Sequence, residues 1–150
     1  MLNLSHTISA TTIASMKATL QSIAELKGRT LFVFDEDNLA DQVKGISSLP
    51  AVGIIYDGMR AVPEQGTGKM GMSAEIVLSL VVINRSNDIL STDQTKVETL
   101  EILDAIRTKL LGTRSPTGHF WRFMVEAAAS QSKGMVFWVT RWTCPVQLTP

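Results

Sequence analysis

The sequence predicts a single α+β domain: a mixed, mostly antiparallel β-sheet packed against two main helices. Two observations carry the fold class. Two segments repeat apolar residues at helical spacing and five others read as strands, in the order helix, strand, strand, strand, helix, strand, strand. The last two strand segments are aromatic and are separated only by the short polar run SQSKG, as in a hairpin. The length, 150 residues, suits one domain of roughly 100–200 residues and leaves no comfortable room for two.

The first helix is expected from Ser9 to Lys27. Ile13, Met16, Leu20 and Ile23 recur at spacings of three and four and share a stripe, and Gly28 follows as a stop. Leu31 to Phe34 reads as a short strand. DEDNLADQVKG, with Leu39 and Val43 four apart, suits one or two helical turns. Ala51 to Tyr56 reads as a second strand between Pro50 and the turn signal Asp57-Gly58. Residues 57–72 then read as a long loop: four glycines, one proline and three methionines stand in sixteen residues without a period. A loop of that length inside a domain is normally functional or disordered.

SAEIVLSLVVINR is predicted to be a long strand. Ala74, Ile76, Leu78, Leu80 and Val82 form one face, and Glu75, Val77, Ser79, Val81 and Ile83 a mixed one. Ser91 opens the second helix, with Gln94 at the capping-box position, and Gly112 ends it. Val97, Leu100, Leu103, Ile106 and Leu110 are its expected stripe, with Asp93 and Lys109 favourably placed on the helix dipole. After the turn-rich TRSPTG come strands from His119 to Ala127 and from Gly134 to Val146. Trp138 and Trp142, four apart, share a face, and Trp121 sits on the neighbouring strand. Core is the simplest reading for these tryptophans, and an interface the alternative.

Composition removes many classes of function. Fourteen basic residues balance fourteen acidic ones, which argues against a protein that binds nucleic acid by phosphate neutralisation. One cysteine, Cys144, excludes an intrachain disulfide and a four-cysteine zinc site, and two histidines cannot make a three-histidine site. The N-terminal stretch has no basic residue before Lys17 and no unbroken apolar core, unlike a secretory signal. The apolar run from Ala74 to Ile83 is about half a membrane span. The expected compartment is the cytoplasm of the cell that translates the chain.

Motifs of known chemistry are weak. GTGKMG at 66–71 lacks the first Walker A glycine (Pro63 stands there) and the Ser or Thr after Lys69, and a strand rather than a helix follows. Asp35, Glu36 and Asp37 lack the remaining ligands of a calcium loop and read as a solvated cap. His6 and His119 have no Cys or His at ligand spacing, and Cys144 reads as a small buried hydrophobe. No nucleophile elbow, paired-carboxylate signature or dinucleotide fingerprint is present, so no catalytic, cofactor or metal residue is assigned.

The layout from about residue 10 to 148 resembles the tail terminator (tail completion) proteins of long-tailed bacteriophages, in the style of the Mu-like group. The segments that carry the resemblance are AVGIIYDG, AEIVLSLVVINR, LDAIRTKLLG, GHFWRFMVEA and MVFWVTRWTCPVQL. On this resemblance residues 1–150 form a single tail-terminator-like domain, and the protein is a non-enzymatic virion component without cofactors. It would form a ring of six copies on the end of the tail tube, stop tube growth and offer a surface to a neck or head-completion protein. A sheath protein would be a further partner if the tail is contractile. DNA would pass through the lumen without specific binding, and no membrane is involved. The expected location is the head-proximal end of the tail, with assembly in the host cytoplasm.

The loop over 57–72 is then expected to contact a neighbouring subunit or the tube. Arg60 and Lys69 would supply its polar contacts, and Met59, Val62 and Met70 its apolar ones, since methionine packs adaptably. Competing readings are another head–tail connector or baseplate component, a small cytosolic ligand-binding protein or enzyme, and a homo-oligomer without a phage role.

Overall fold

The computed structural model describes residues 7–26, 30–33, 49–63, 72–85, 92–129 and 134–148. The segment 34–48, with its acidic run and Leu39 and Val43, lies outside them, as do His6, Gly28 and Ser91.

Helix α1 spans Ile8–Gln21, with Thr7 as its N-cap: the threonine hydroxyl accepts from the Ala10 amide at 3.2 Å. It ends earlier than the apolar spacing predicts. Ser22 turns its hydroxyl back onto the Thr19 carbonyl at 2.6 Å, a local bond that competes with helix continuation. The stripe carries on through a 3-10 turn, Ala24–Leu26, so Met16, Leu20, Ile23 and Leu26 all reach the core.

Five strands form one sheet: β1 Thr30–Val33, β2 Ala51–Ala61, β3 Met72–Arg85, β4 Arg122–Ala128 and β5 Met135–Leu148, in the spatial order β1-β2-β3-β5-β4. Only the β1–β2 pair is parallel. This is the predicted α+β class, a mixed and mostly antiparallel sheet with helices on one face.

Helix α2 spans Thr92–Leu111. Its buried stripe is Thr99, Ile102, Leu103, Ile106 and Leu110, and Leu100, expected in the stripe, is 43% exposed. The reason is a polar residue at a core position. Thr99 faces the sheet, where its hydroxyl accepts from Asn84 Nδ2 at 3.2 Å, and Leu100 is rotated one helical step outward. The Val97 side chain lies outside the described residues.

Strand β3 alternates as its sequence dictates. Ala74, Ile76, Leu78, Leu80 and Val82 face the helices and are at most 2% exposed. They meet Val52 and Ile54 of β2, Trp142 and Cys144 of β5, and the helical stripes in one core. Each Leu or Ile so buried contributes roughly 1.5–3 kcal/mol. On the opposite face Val81 and Ile83 gather a smaller apolar cluster with Ile55, Phe137 and Val139. Trp121 and Trp142 are core residues, and Trp138 is partly buried against the same core.

The boundary of the long loop is corrected. Residues 57–61 continue β2, pairing with β3 as far as Ala61 with Ala74, and the Val62 amide adds a bond to the Ser73 carbonyl at 2.9 Å. Asp57-Gly58 is a bulge rather than a turn. Gly58 has φ +116°, and the register slips by one residue there. A Cβ at Gly58 would meet nothing within 4 Å, so Gly58→Ala meets only the backbone penalty. We expect it to destabilise by about 1–2 kcal/mol in urea unfolding. An unchanged midpoint would mean that the bulge relaxes to a conformation open to any residue.

Candidate interaction surfaces

The bulge sets the first surface. Asp57 follows the alternation of β2 onto the outer face of the sheet, opposite the helices, and the inserted residue resets the alternation after it, so that Met59 pairs with Ile76 on the inner face and Arg60 with Glu75 on the outer. There Asp57 accepts from the Ser79 hydroxyl, and Arg141 Nε lies 3.3 Å from Asp57 Oδ2 and 3.2 Å from Ser79 Oγ. Ser79, 3% exposed, is thus satisfied on both sides, and the trio ties β2, β3 and β5 together. Nothing in this geometry frees Ser79 to act as a nucleophile.

Of the five residues expected to make contacts, three stand at this end of the β2–β3 hairpin. Met59 faces inward and packs against the main core. Arg60 makes an in-chain pair: its Nε donates to Glu75 Oε2 at 2.9 Å and its terminal nitrogen lies 2.7 Å from the same oxygen. With the arginine side chain 59% exposed, that pair is worth at most about 1 kcal/mol. Val62 is half-buried on the outer face, at the rim of a shallow groove of about 300 Å³ shared with His119, Arg122 and Pro145. Lys69 and Met70 lie outside the described residues, together with the rest of GTGKMG.

The second surface is the β4 edge and the turn that leads into it. TRSPTG and the residues after it form a fastened loop. The Ser115 amide donates to the His119 carbonyl at 2.8 Å, and Arg114 and Phe120 form an isolated bridge. The Arg114 guanidinium donates to the Gly118 carbonyl at 2.7 Å and stacks 4.4 Å from the Phe120 ring centre. Thr117 bonds the Pro145 carbonyl at 2.7 Å, which holds the loop to β5. His119, expected as the first strand residue, belongs to this loop, and β4 begins at Arg122.

β4 is an edge strand whose register slips between Phe123 and Val125. Phe120 just before β4, and Phe123, Met124 and Val125 within it, are 38–47% exposed along an open sheet edge, Phe123 on the inner face and Val125 on the outer. The sequence showed the aromatic alternation here but not its exposure, because period-2 patterning does not distinguish an edge strand from a central one. Behind it, Arg107 of α2 lies 3.1 Å from Glu126 of β4 and also pairs with Asp104, which fixes the helix to the edge strand.

The third feature is an open groove of about 710 Å³ between the 3-10 turn and α2. Glu25, Glu101, Asp104, Ala105, Thr108 and Lys109 contribute to its walls. Among the described residues no three of His, Cys, Asp and Glu converge as a metal ion would require, and no described helix is long and apolar enough to cross a membrane.

Cys144 of β5 is fully buried in the main core, in contact with Ser115 of the fastened loop. Burial pushes its thiol above the ordinary 9.0, and a contact with the Ser115 side chain pulls the other way. A thiol held protonated by the fold stabilises it fully below pH 9.0, and that contribution is lost as pH rises through the higher folded value. Cys144 should therefore resist a thiol reagent at pH 8 until denaturant is added, and stability should decline above pH 9. Rapid labelling of the folded chain would contradict the burial.

The sequence matches no family profile and no curated protein. Among solved structures the chain is similar to one in the virion of a native gene transfer agent (GTA) particle. The match has a TM-score of 0.64 and covers 95% of this chain and 98% of the other, at 14% identity. The two share a fold.

Proposed function

We propose that the protein is a virion structural component that closes the end of a phage tail tube as a homo-oligomeric ring of six copies. One observation carries this reading: its fold extends over nearly the full length of a chain from a gene transfer agent virion. The resemblance of LDAIRTKLLG, GHFWRFMVEA and MVFWVTRWTCPVQL to tail terminator proteins narrows it to the tube end. The exposed apolar edge of β4 supports an assembly role, since such an edge on a protein that works alone invites aggregation. In this reading the partners are further copies of itself, the tube protein, a neck or head-completion protein and, in a contractile tail, the sheath. The protein resides at the head-proximal end of the tail. It has no enzymatic activity and no cofactor, and it lets DNA pass without gripping it, as its balanced charge suits.

Tube growth tests this directly. Added substoichiometrically to polymerising tube subunits from the same source, the protein should arrest elongation, read as a plateau in sedimentable tube. Elongation unaffected at equimolar protein would move the assignment to another head–tail joint or baseplate component.

A further inference from the structure

Two surfaces on opposite sides of the sheet carry charge that the chain itself leaves unbalanced. On the outer face, Arg60 is matched by Glu75 and Arg141 by Asp57. Arg122, exposed at the start of β4, has no carboxylate partner among the described residues, and His119 stands beside it on the same groove. Apolar groups flank this basic spot. Met124, at the register slip of β4, lines a second outer-face groove of about 400 Å³ with Val77 and the already paired Asp57, Arg60 and Arg141, and Val125 is 44% exposed. Arginine, methionine and aromatic residues on an exposed apolar patch are the composition of interface centres. The fastened loop holds His119 and the start of β4 in place before any partner arrives, which lowers the entropy cost of binding.

On the helical side, the groove between the 3-10 turn and α2 carries Glu25, Glu101, Asp104 and Lys109. Asp104 is paired with Arg107, whereas Glu25 and Glu101 have no cationic partner among the described residues. Its walls also hold the apolar Ile23, Ala24 and Ala105. A concave, net acidic, partly apolar surface on the helical layer thus faces away from a basic, partly apolar one, with the sheet between them.

We propose that these two surfaces join in successive copies of this chain, the β4 outer face of one seating in the α2 groove of the next. Arg122 and His119 meet Glu101 and Glu25, and Met124 and Val125 cover Ile23, Ala24 and Ala105. Because the surfaces differ and lie on opposite sides of one subunit, the contact is heterologous, the kind that closes into a ring or runs on as a filament. This rests on the homo-oligomeric reading above and adds which faces meet.

Charge reversal tests it. Arg122 and Glu101 are exposed, so Arg122→Glu and Glu101→Arg should leave the thermal unfolding midpoint nearly unchanged. Association is read by light scattering of the chain alone and by ring density on tube ends. Each single variant should weaken it at least about tenfold. An equimolar mixture of the two, and the double variant, should recover assembly, because every clashing pair is then replaced by a matched one. Folded single variants that assemble as the wild type does would overturn the proposal, as would a mixture and a double variant that both stay apart. A wild-type chain that remains monomeric both in solution and on tubes would instead remove the ring reading itself.

Discussion

Trp142→Ala should lower stability by about 3–5 kcal/mol, the largest loss expected from any single substitution in this chain. Trp142 is fully buried in the middle of the sheet. It stands opposite Leu78 of β3 on one side and Phe123 of β4 on the other. The Phe123 ring meets it edge to face, with ring centres 5.4 Å apart, and its indole N–H donates to Thr140 at 2.9 Å. Truncation removes the ring contact, opens a cavity under the β4 edge and leaves the buried Thr140 hydroxyl without its donor. Against a total of roughly 5–15 kcal/mol, that loss removes a large share of the chain's stability. The melting temperature should fall by on the order of 10 °C. Phe120→Ala is the matched control, since Phe120 is 47% exposed and its removal should shift the midpoint little. Equal losses from both would mean that the fastened loop, rather than Trp142, anchors the edge.

Replacing residues 64–71 by Asn-Gly should leave the fold intact and abolish tube capping. The hydrogen bond from the Val62 amide to Ser73 makes those residues the closing pair, so Pro63, Asn, Gly and Met72 form a four-residue connection between them, a common hairpin length that keeps the register. The replacement removes Lys69 and Met70 and keeps Met59, Arg60 and Val62, whose strand positions do not depend on the connection. The shortened protein should melt within a few degrees of the wild type and fail to arrest tube growth. Undiminished arrest would place the tube or subunit contact elsewhere. Loss of arrest together with a collapsed melting temperature would call for Lys69→Ala and Met70→Ala, which leave the connection its length.

The helical stripes and the two faces of β3 were legible in the sequence because their apolar residues outnumber every competing signal. Met16, Leu20 and Ile23, or Ile76, Leu78 and Leu80, admit one period each. Thr99 was not legible: a threonine matched to Asn84 across the core looks polar to any hydropathy pattern, and the neighbouring Leu100 took its place in the predicted stripe. Asp57-Gly58 failed for a different reason. The pair is a turn signal, and the physical demand is the same in a turn and in a bulge, a backbone position with positive φ. What decides between them is the length of the partner strand, and β3 offers paired residues well past Gly58. Loop 57–72 thereby shrank at its start, and Met59 turned inward to pack against the core. The fastened loop after α2 carried a usable signal in TRSPTG, whose serine, threonine and glycine make its turns. Its cross-links to Pro145 and Phe120 are tertiary and leave no local trace. Exposure of the β4 edge depends on strand order, which no single segment encodes.

Negative-stain electron microscopy of this protein mixed with tail-tube subunits from the same source tests the central claim most directly. The account predicts tubes of limited length, each bearing one ring of six-fold symmetry at a single end. Tubes that keep growing with bare ends, while the protein stays free in the background, would contradict it.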